Sequence, residues 1–177
     1  MVLHYENQTQ KNCFEAKYGD YMIIRKARME DRLGIERLLK EVNNLHQKLR
    51  PDIFIENAIK YNEEKLNALI SNGATPIFVA VDEDGNVIGH LFCQVRDHAD
   101  VAVYKDFKTL FIDDLCVAES AHRQGIGKSL FDFALKYARQ NGCYDVTLNV
   151  WSGNDSALAF YEKMGMFPKE TQMEYIL

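Results

Sequence analysis

Apolar positions follow different rhythms along the chain, and each rhythm predicts a different element. Residues 21–27 form a short apolar run fit for a strand, and Ile35, Leu38, Leu39, Val42, Leu45 and Leu49 then recur at helical spacing. Pro51 stops that helix. A second helix starts with Asn62 as N-cap, carries Glu63 and Glu64 in its first turn, and ends before Gly73. Residues 50–61 therefore connect two helices. PIFVAV and VIGHLFCQV are β-rich runs joined by DEDGN, whose Asp84-Gly85 supplies the positive φ of a tight hairpin. TLFIDDLCV predicts a further strand.

Ile126, Leu130, Phe133, Ala134, Tyr137 and Ala138 again share a helical face, closed by Asn141-Gly142. Residues 144–151 alternate, with Val146, Leu148 and Val150 on one face, as a strand with a buried side does. Residues 155–164 read as a short helix ended by Pro168, and TQMEYIL as a last short strand. The predicted order is β-α-α-β-β-β-α-β-α-β, an α/β sandwich whose central sheet has mixed strand direction and helices on its faces.

The chain has 177 residues, 47% of them apolar, enough for one domain with a sizeable core. With no internal repeat, low-complexity tract or linker, residues 21–177 are expected to form one domain behind a polar N-terminal extension, residues 1–20. The longest apolar run, residues 77–81, is far short of the roughly 18 residues of a spanning helix. The amino terminus lacks a secretory h-region, so a cytoplasmic protein with no membrane partner is expected. Cys13, Cys93, Cys116 and Cys143 are widely spaced, none at metal-ligand spacing, and read as reduced thiols. A net charge of −5 speaks against nucleic acid and suits a cationic amine.

Chemistry concentrates in LCVAESAHRQGIGKSLF, where a strand passes through a short turn straight into a helix. Such a junction is an anion site: Gly125 and Gly127 let the backbone approach a ligand, and the first free N–H groups of the helix point outward along its dipole. His122, Arg123 and Lys128 add positive potential. The segment is not a Walker A loop, because His122 stands where GxxxxGK[ST] needs glycine. It is not a dinucleotide fingerprint either, because Leu130 stands at the third glycine.

The loop resembles the acyl-CoA loop of the GNAT superfamily of N-acetyltransferases, [RQ]xxGx[GA], with His122 in place of the first Arg or Gln and Arg123 one residue on. Thirty residues later Asn154, Ala157, Tyr161 and Gly165 fit NxxAxxxYxxxG, similar to the second signature of that superfamily. The resemblance covers residues 21–177 and implies a mixed, mostly antiparallel sheet flanked by helices. It also implies that acetyl-CoA is the cosubstrate. Its pyrophosphate would lie on Arg123, Gln124, Gly125, Ile126, Gly127 and Lys128, and its pantetheine arm would pair with the strand at Leu115, Cys116 and Val117. Asn154 would cap its helix and contact the cofactor.

The implied reaction is direct attack of a primary amine on the thioester through a tetrahedral intermediate. A departing thiol of pKa about 8.5 can be protonated by a phenol of pKa about 10, so Tyr161 is the candidate general acid. Without the resemblance, its sharing a helical face with Ala157, Leu158 and Met164 would read as core. Asp113 is the candidate base. Asp114 points to the opposite face of a regular strand, although a bulge would alter that. Cys116 could form an acetyl-cysteine, but no base partner is implied by its spacing.

The acceptor, a small-molecule or peptide amine such as a polyamine, would be gripped by residues 46–61, 96–108 and 171–177. His46 reads as a helix-end or surface residue and Trp151 as packed. A non-catalytic acyl-CoA sensor is the alternative. An edge strand or the C-terminal segment could mediate a homodimer.

Overall fold

The apolar rhythms become one sheet with helices on both faces in the structure, a computed structural model that describes residues 15–17, 22–73 and 75–177. The strands are β1 (Glu15–Lys17), β2 (Ile23–Lys26), β3 (Ile77–Val81), β4 (Val87–Asp97), β5 (Lys108–Val117) and β6 (Asp145–Leu148). The helices are α1 (Arg32–Leu49), α2 (Glu63–Asn72), α3 (Ile126–Gln140) and α4 (Asp155–Lys163). The strands lie side by side in chain order. Every neighbouring pair is antiparallel except β5 and β6, which α3 joins as a crossover and which run parallel.

All five residues of β3 are buried, as expected of a strand covered on both faces. One layer brings Ile35, Leu38 and Leu39 of α1 and Leu66 of α2 to the sheet, and the other brings Leu130, Phe131, Phe133 and Ala134 of α3. Phe78 packs edge-on against Phe133 and Tyr137 of α3, with ring centroids 4.8 and 5.1 Å apart. Buried Asp31 ties β2 to the start of α1: it accepts from Arg25 at 2.7 and 2.9 Å and from the Arg28 amide at 2.7 Å. No described helix is long and apolar enough to cross a membrane.

The structure departs from the sequence reading at three places. β1 has no counterpart there: three residues ahead of residue 21 pair antiparallel with β2, while the rest of the expected extension lies outside the described residues. β6 stops at Leu148 rather than residue 151, because its ladder with β5 ends at the Ile112–Leu148 pair. The last expected strand is absent. Residues 171–177 are exposed and join no ladder, and alternation without a neighbouring strand does not make one.

The close approach of α1 to β4 depends on Gly34. A Cβ placed there would lie 2.6 Å from Val87 Cβ on β4, nearer than two carbons can come. Gly34→Ala is expected to lower stability by about 1–3 kcal/mol through overpacking, read as a fall in the denaturation midpoint at unchanged m-value. An unchanged midpoint would show that α1 does not depend on this contact.

Candidate active site

The site begins with a defect in β5. Ile112 stands opposite Cys93 and Asp114 opposite Phe92, so Asp113 is an extra residue with no cross-strand partner. Such a bulge resets the alternation of a strand. Regular alternation would send the two aspartates to opposite faces, but here both serve the face covered by α1 and by the connection between α1 and α2. Asp113 accepts from Lys60 Nζ at 2.7 Å and from Tyr61 OH at 3.2 Å. His90 Nε2 lies 3.2 Å from Asp114 Oδ1 and donates to it. Cys116, opposite His90, has Sγ 3.7 Å from the Leu38 carbonyl of α1.

The connection that delivers Lys60 and Tyr61 is pinned to α1 near its middle. Asn43 Nδ2 donates to the Ile55 carbonyl at 2.9 Å, and the Asn57 amide donates to Asn44 Oδ1 at 3.1 Å. The Tyr61 ring stacks on Phe92 with centroids 5.9 Å apart.

The same bulge marks where β5 parts from β6. Pairing between them covers Thr109 to Ile112 and stops, so residues 113–117 present an edge with no strand beside it among the described residues. That edge is about 13 Å long at the usual strand rise. It leads to α3, whose N-cap is Gly125 at φ +82°, with no side-chain cap. The first amide with a carbonyl partner is Ser129, bonded to the Gly125 carbonyl at 3.0 Å, so Ile126, Gly127 and Lys128 present the uncapped N–H groups of the first turn. Nothing lies within 4 Å of a Cβ built on Gly125, so this surface is open.

The charged residues of the loop divide in role. His122 turns back on the sheet, its Nε2 donating to the Val117 carbonyl at 2.9 Å, so it shapes the turn and engages one of the strand groups. Gln124 Nε2 donates to the Ser120 carbonyl at 3.5 Å. Lys128 pairs with Asp132 one turn along α3. Arg123, at φ +64°, sits in the left-handed region that non-glycine residues seldom adopt.

On α4, Asn154 is the N-cap: its Oδ1 accepts from the Ala157 amide at 3.2 Å and from Ser156 Oγ at 3.1 Å. About two turns on, Tyr161 packs against Phe131 and Phe160, at centroid distances of 6.1 and 5.0 Å. Burial raises the Tyr161 pKa, and the nearby Asp114 and Cys116 raise it further, so the phenol keeps its proton across the neutral range. Burial also pushes the Cys116 thiol up to about 12, with Asp114 adding to the effect. Burial alone would raise the Asp114 pKa, but the hydrogen bond and charge of His90, with Lys60 and His46, outweigh it and hold the carboxyl below its usual range. Burial works against the Lys60 ammonium too, yet Asp113 keeps its pKa above the ordinary value.

The sequence named Asp113 and Tyr161 and, as a segment, residues 46–61 that carry Lys60 and Tyr61, but it singled out neither of those two nor His90. His90 had one signal, a lone polar residue in the apolar run VIGHLF. His46, set aside as a surface residue, is half-buried in an aromatic group, 5.2 Å from Phe54 and 6.4 Å from Trp151 between centroids. Burial lowers its pKa while Asp114 raises it. Arg50 lies 5.9 Å above the Trp151 ring and donates to Glu174 of the C-terminal segment at 2.7 Å.

Residues 39–166 match the acetyltransferase (GNAT) family. The chain is 35% identical over 115 residues to an uncharacterized N-acetyltransferase in the pepI 3′ region of Lactobacillus delbrueckii subsp. lactis, a match that covers 64% of this chain and 62% of that protein. The chain thus spans less than two thirds of that relative's length. Among solved structures, a mutant of the BH1408 protein from Bacillus halodurans superposes with a TM-score of 0.82 at 30% identity, covering 87% of this chain and 98% of that one. The aminoglycoside N-acetyltransferase AAC(6')-Iy, solved in complex with CoA, shares the fold at a TM-score of 0.65 and 17% identity, covering 92% and 98%.

A carboxyl whose pKa is depressed in the fold adds stability above its unfolded pKa, about 3.9, and that stability is lost as pH falls through the folded value. Asp114→Asn is therefore expected to be less stable than wild type at neutral pH and to lose less stability on acidification below roughly pH 4. Thermal midpoints of both proteins across the acid range check this. Parallel curves would remove Asp114 from the acid response.

Proposed function

Since the chain belongs to the GNAT acetyltransferase family, we propose that it moves the acetyl group of acetyl-CoA onto a primary amine by direct attack, with Asp113 or Asp114 as base and Tyr161 as acid. The observation that carries this reading is the unpaired edge of β5. It leads from the paired carboxylates at residues 113 and 114 to the uncapped first turn of α3. The near end suits an amine, and the strand runs about 13 Å from there toward the turn that suits a phosphate.

The residues present fit the cosubstrate. Backbone N–H groups of Ile126, Gly127 and Lys128, with Arg123 and Gln124 on the turn and Gly125 open to solvent, would receive the pyrophosphate. Main-chain groups of Leu115, Cys116 and Val117 would pair with the pantetheine arm as a neighbouring strand does. Asn154 would add a contact from its free amide nitrogen. Acetyl-CoA supplies an acyl carbon activated by its thioester.

An amine acceptor arrives as an ammonium ion and loses one proton to the carboxylate pair before its lone pair can form the N–C bond. A β5 amide on the open edge would stabilise the oxyanion. As the C–S bond breaks, Tyr161 gives its proton to the thiolate and is restored by the second proton of the amine nitrogen. A phenol with a raised pKa is a weak acid in water. Burial and Asp114 push the neighbouring Cys116 thiol up to about 12, and surroundings that disfavour a thiolate would also help an expelled one take that proton. The same shift argues against an acetyl-cysteine at Cys116, because its thiolate is scarce at neutral pH. Two carboxylates at the acceptor end favour a small cationic amine of the polyamine kind.

Calorimetry with acetyl-CoA and amine-dependent thiol release test the reading. Wild type should bind acetyl-CoA, and Gly125→Asp should not, because it places a carboxylate and a strained φ where the phosphate would lie. Tyr161→Phe should bind normally and lose activity by about 10²–10⁴-fold. Binding without amine-dependent release would favour an acyl-CoA sensor, and failure of wild type to bind would overturn both.

A further inference from the structure

The acceptor end of the open edge already holds an amine of the protein itself. Lys60 Nζ donates to Asp113 Oδ2 at 2.7 Å, and Tyr61 OH donates to the same oxygen at 3.2 Å. Asp113 is the first residue beyond the last β5–β6 pair, Ile112 with Leu148. A thioester anchored by phosphate at Gly125 and laid along residues 117 to 113 brings its acyl carbon to this end. The Lys60 amine is thus placed where an external acceptor must arrive, on the carboxylate proposed to deprotonate it.

The placement is built rather than incidental. The stacking of Tyr61 on Phe92 and the two asparagine bonds from α1 fix the backbone that carries Lys60. The side chain keeps 40% of its surface exposed, so it is held without being sealed. The exposed lysines of α1, such as Lys40 and Lys48, have no carboxylate of the acceptor site beside them.

Resting on the acetyl-transfer reading above, we propose that Lys60 is a self-acetylation site of this enzyme, with acetyl-CoA as donor. The Lys60 ammonium gives one proton to Asp113, its Nζ forms a bond to the acetyl carbon, and the C–S bond breaks. The thiolate leaves with the proton of Tyr161, and one of the two protons still on the nitrogen restores the phenol, leaving the other as the amide N–H. The products are acetyl-lysine, CoA thiol and one proton released to solvent. Acetylation removes the charge of Lys60 and with it the ion pair to Asp113. The carboxylate is then free to take the ammonium of an external amine, so the modification opens the acceptor site.

The full chain is incubated with acetyl-CoA and digested, and acetylation of each lysine is followed by mass spectrometry, with acetyl-CoA binding measured on the same sample. Lys60 should gain one acetyl group at a rate independent of protein concentration, well ahead of Lys40 and Lys48. Asp113→Asn, checked for unchanged thermal unfolding, should slow the gain by about 100-fold. Lys60→Arg keeps the charge but cannot be acetylated, and Lys60→Gln mimics the acetylated state, so Lys60→Gln should turn over external amines faster than Lys60→Arg. Lys60 left unmodified, or modified no faster than the other lysines, in a protein that binds acetyl-CoA overturns self-acetylation alone. Absence of acetyl-CoA binding overturns the parent reading and this one with it.

Discussion

One inserted residue organises the site. Asp113 has no cross-strand partner, and at the same point β5 loses β6. A bulge bends its strand and increases local twist, so the strand cannot keep both neighbours parallel to it beyond that point. The core depends on β5 staying in register with β4, and it does so on both sides of the bulge. The parting from β6 is therefore where the distortion is released. Without the bulge, Asp114 would face α3, β6 could continue along β5, and the strand would have neither an open edge nor two carboxylates on one face.

Burial then separates the behaviour of the ionisable groups. Asp114, Tyr161 and Cys116 lie together in low-dielectric surroundings, which work against every charged form. His90 supplies the hydrogen bond and charge that keep Asp114 ionised, and no comparable partner lowers Tyr161 or Cys116. With the charges of Lys60 and His46, that histidine sets the carboxyl apart from the phenol and the thiol. Asp113 is nearer the surface and is held by Lys60 and Tyr61, so of the two carboxylates it is the one within reach of solvent and of an arriving amine.

The elements legible in the sequence were those whose signal is local. The periodicity from Ile126 to Ala138 gave α3, Asn62 and Gly73 bounded α2, and the glycines at 125 and 127 marked the strand-to-helix turn. What depends on a distant neighbour was not legible. Residues 171–177 alternate like a strand but have no ladder to join, and three residues of β1 carry no period at all. Lys60 and Tyr61 reach Asp113 across more than fifty residues of chain, from a connection with no repeating pattern. The bulge did leave a trace, because two successive acids in FIDDLCV break the alternation of an otherwise apolar strand.

Net charge hides how the site divides. At −5 the chain as a whole repels a phosphate-rich ligand, and two of the three basic side chains of the loop already have partners, His122 the Val117 carbonyl and Lys128 the Asp132 carboxylate. What remains for an anion is Arg123 and the amides of the first turn of α3, a field that fades within that turn. At the far end of the same edge stand Asp113 and Asp114, whose field favours a cation. A donor that is anionic at its phosphates and an acceptor that is cationic at its amine would thus be drawn to opposite ends of one groove. The short-range field of a helix terminus makes this workable, since a cluster of lysines strong enough to overcome the net charge would also weaken the pull of the aspartates on an amine at the other end of the groove.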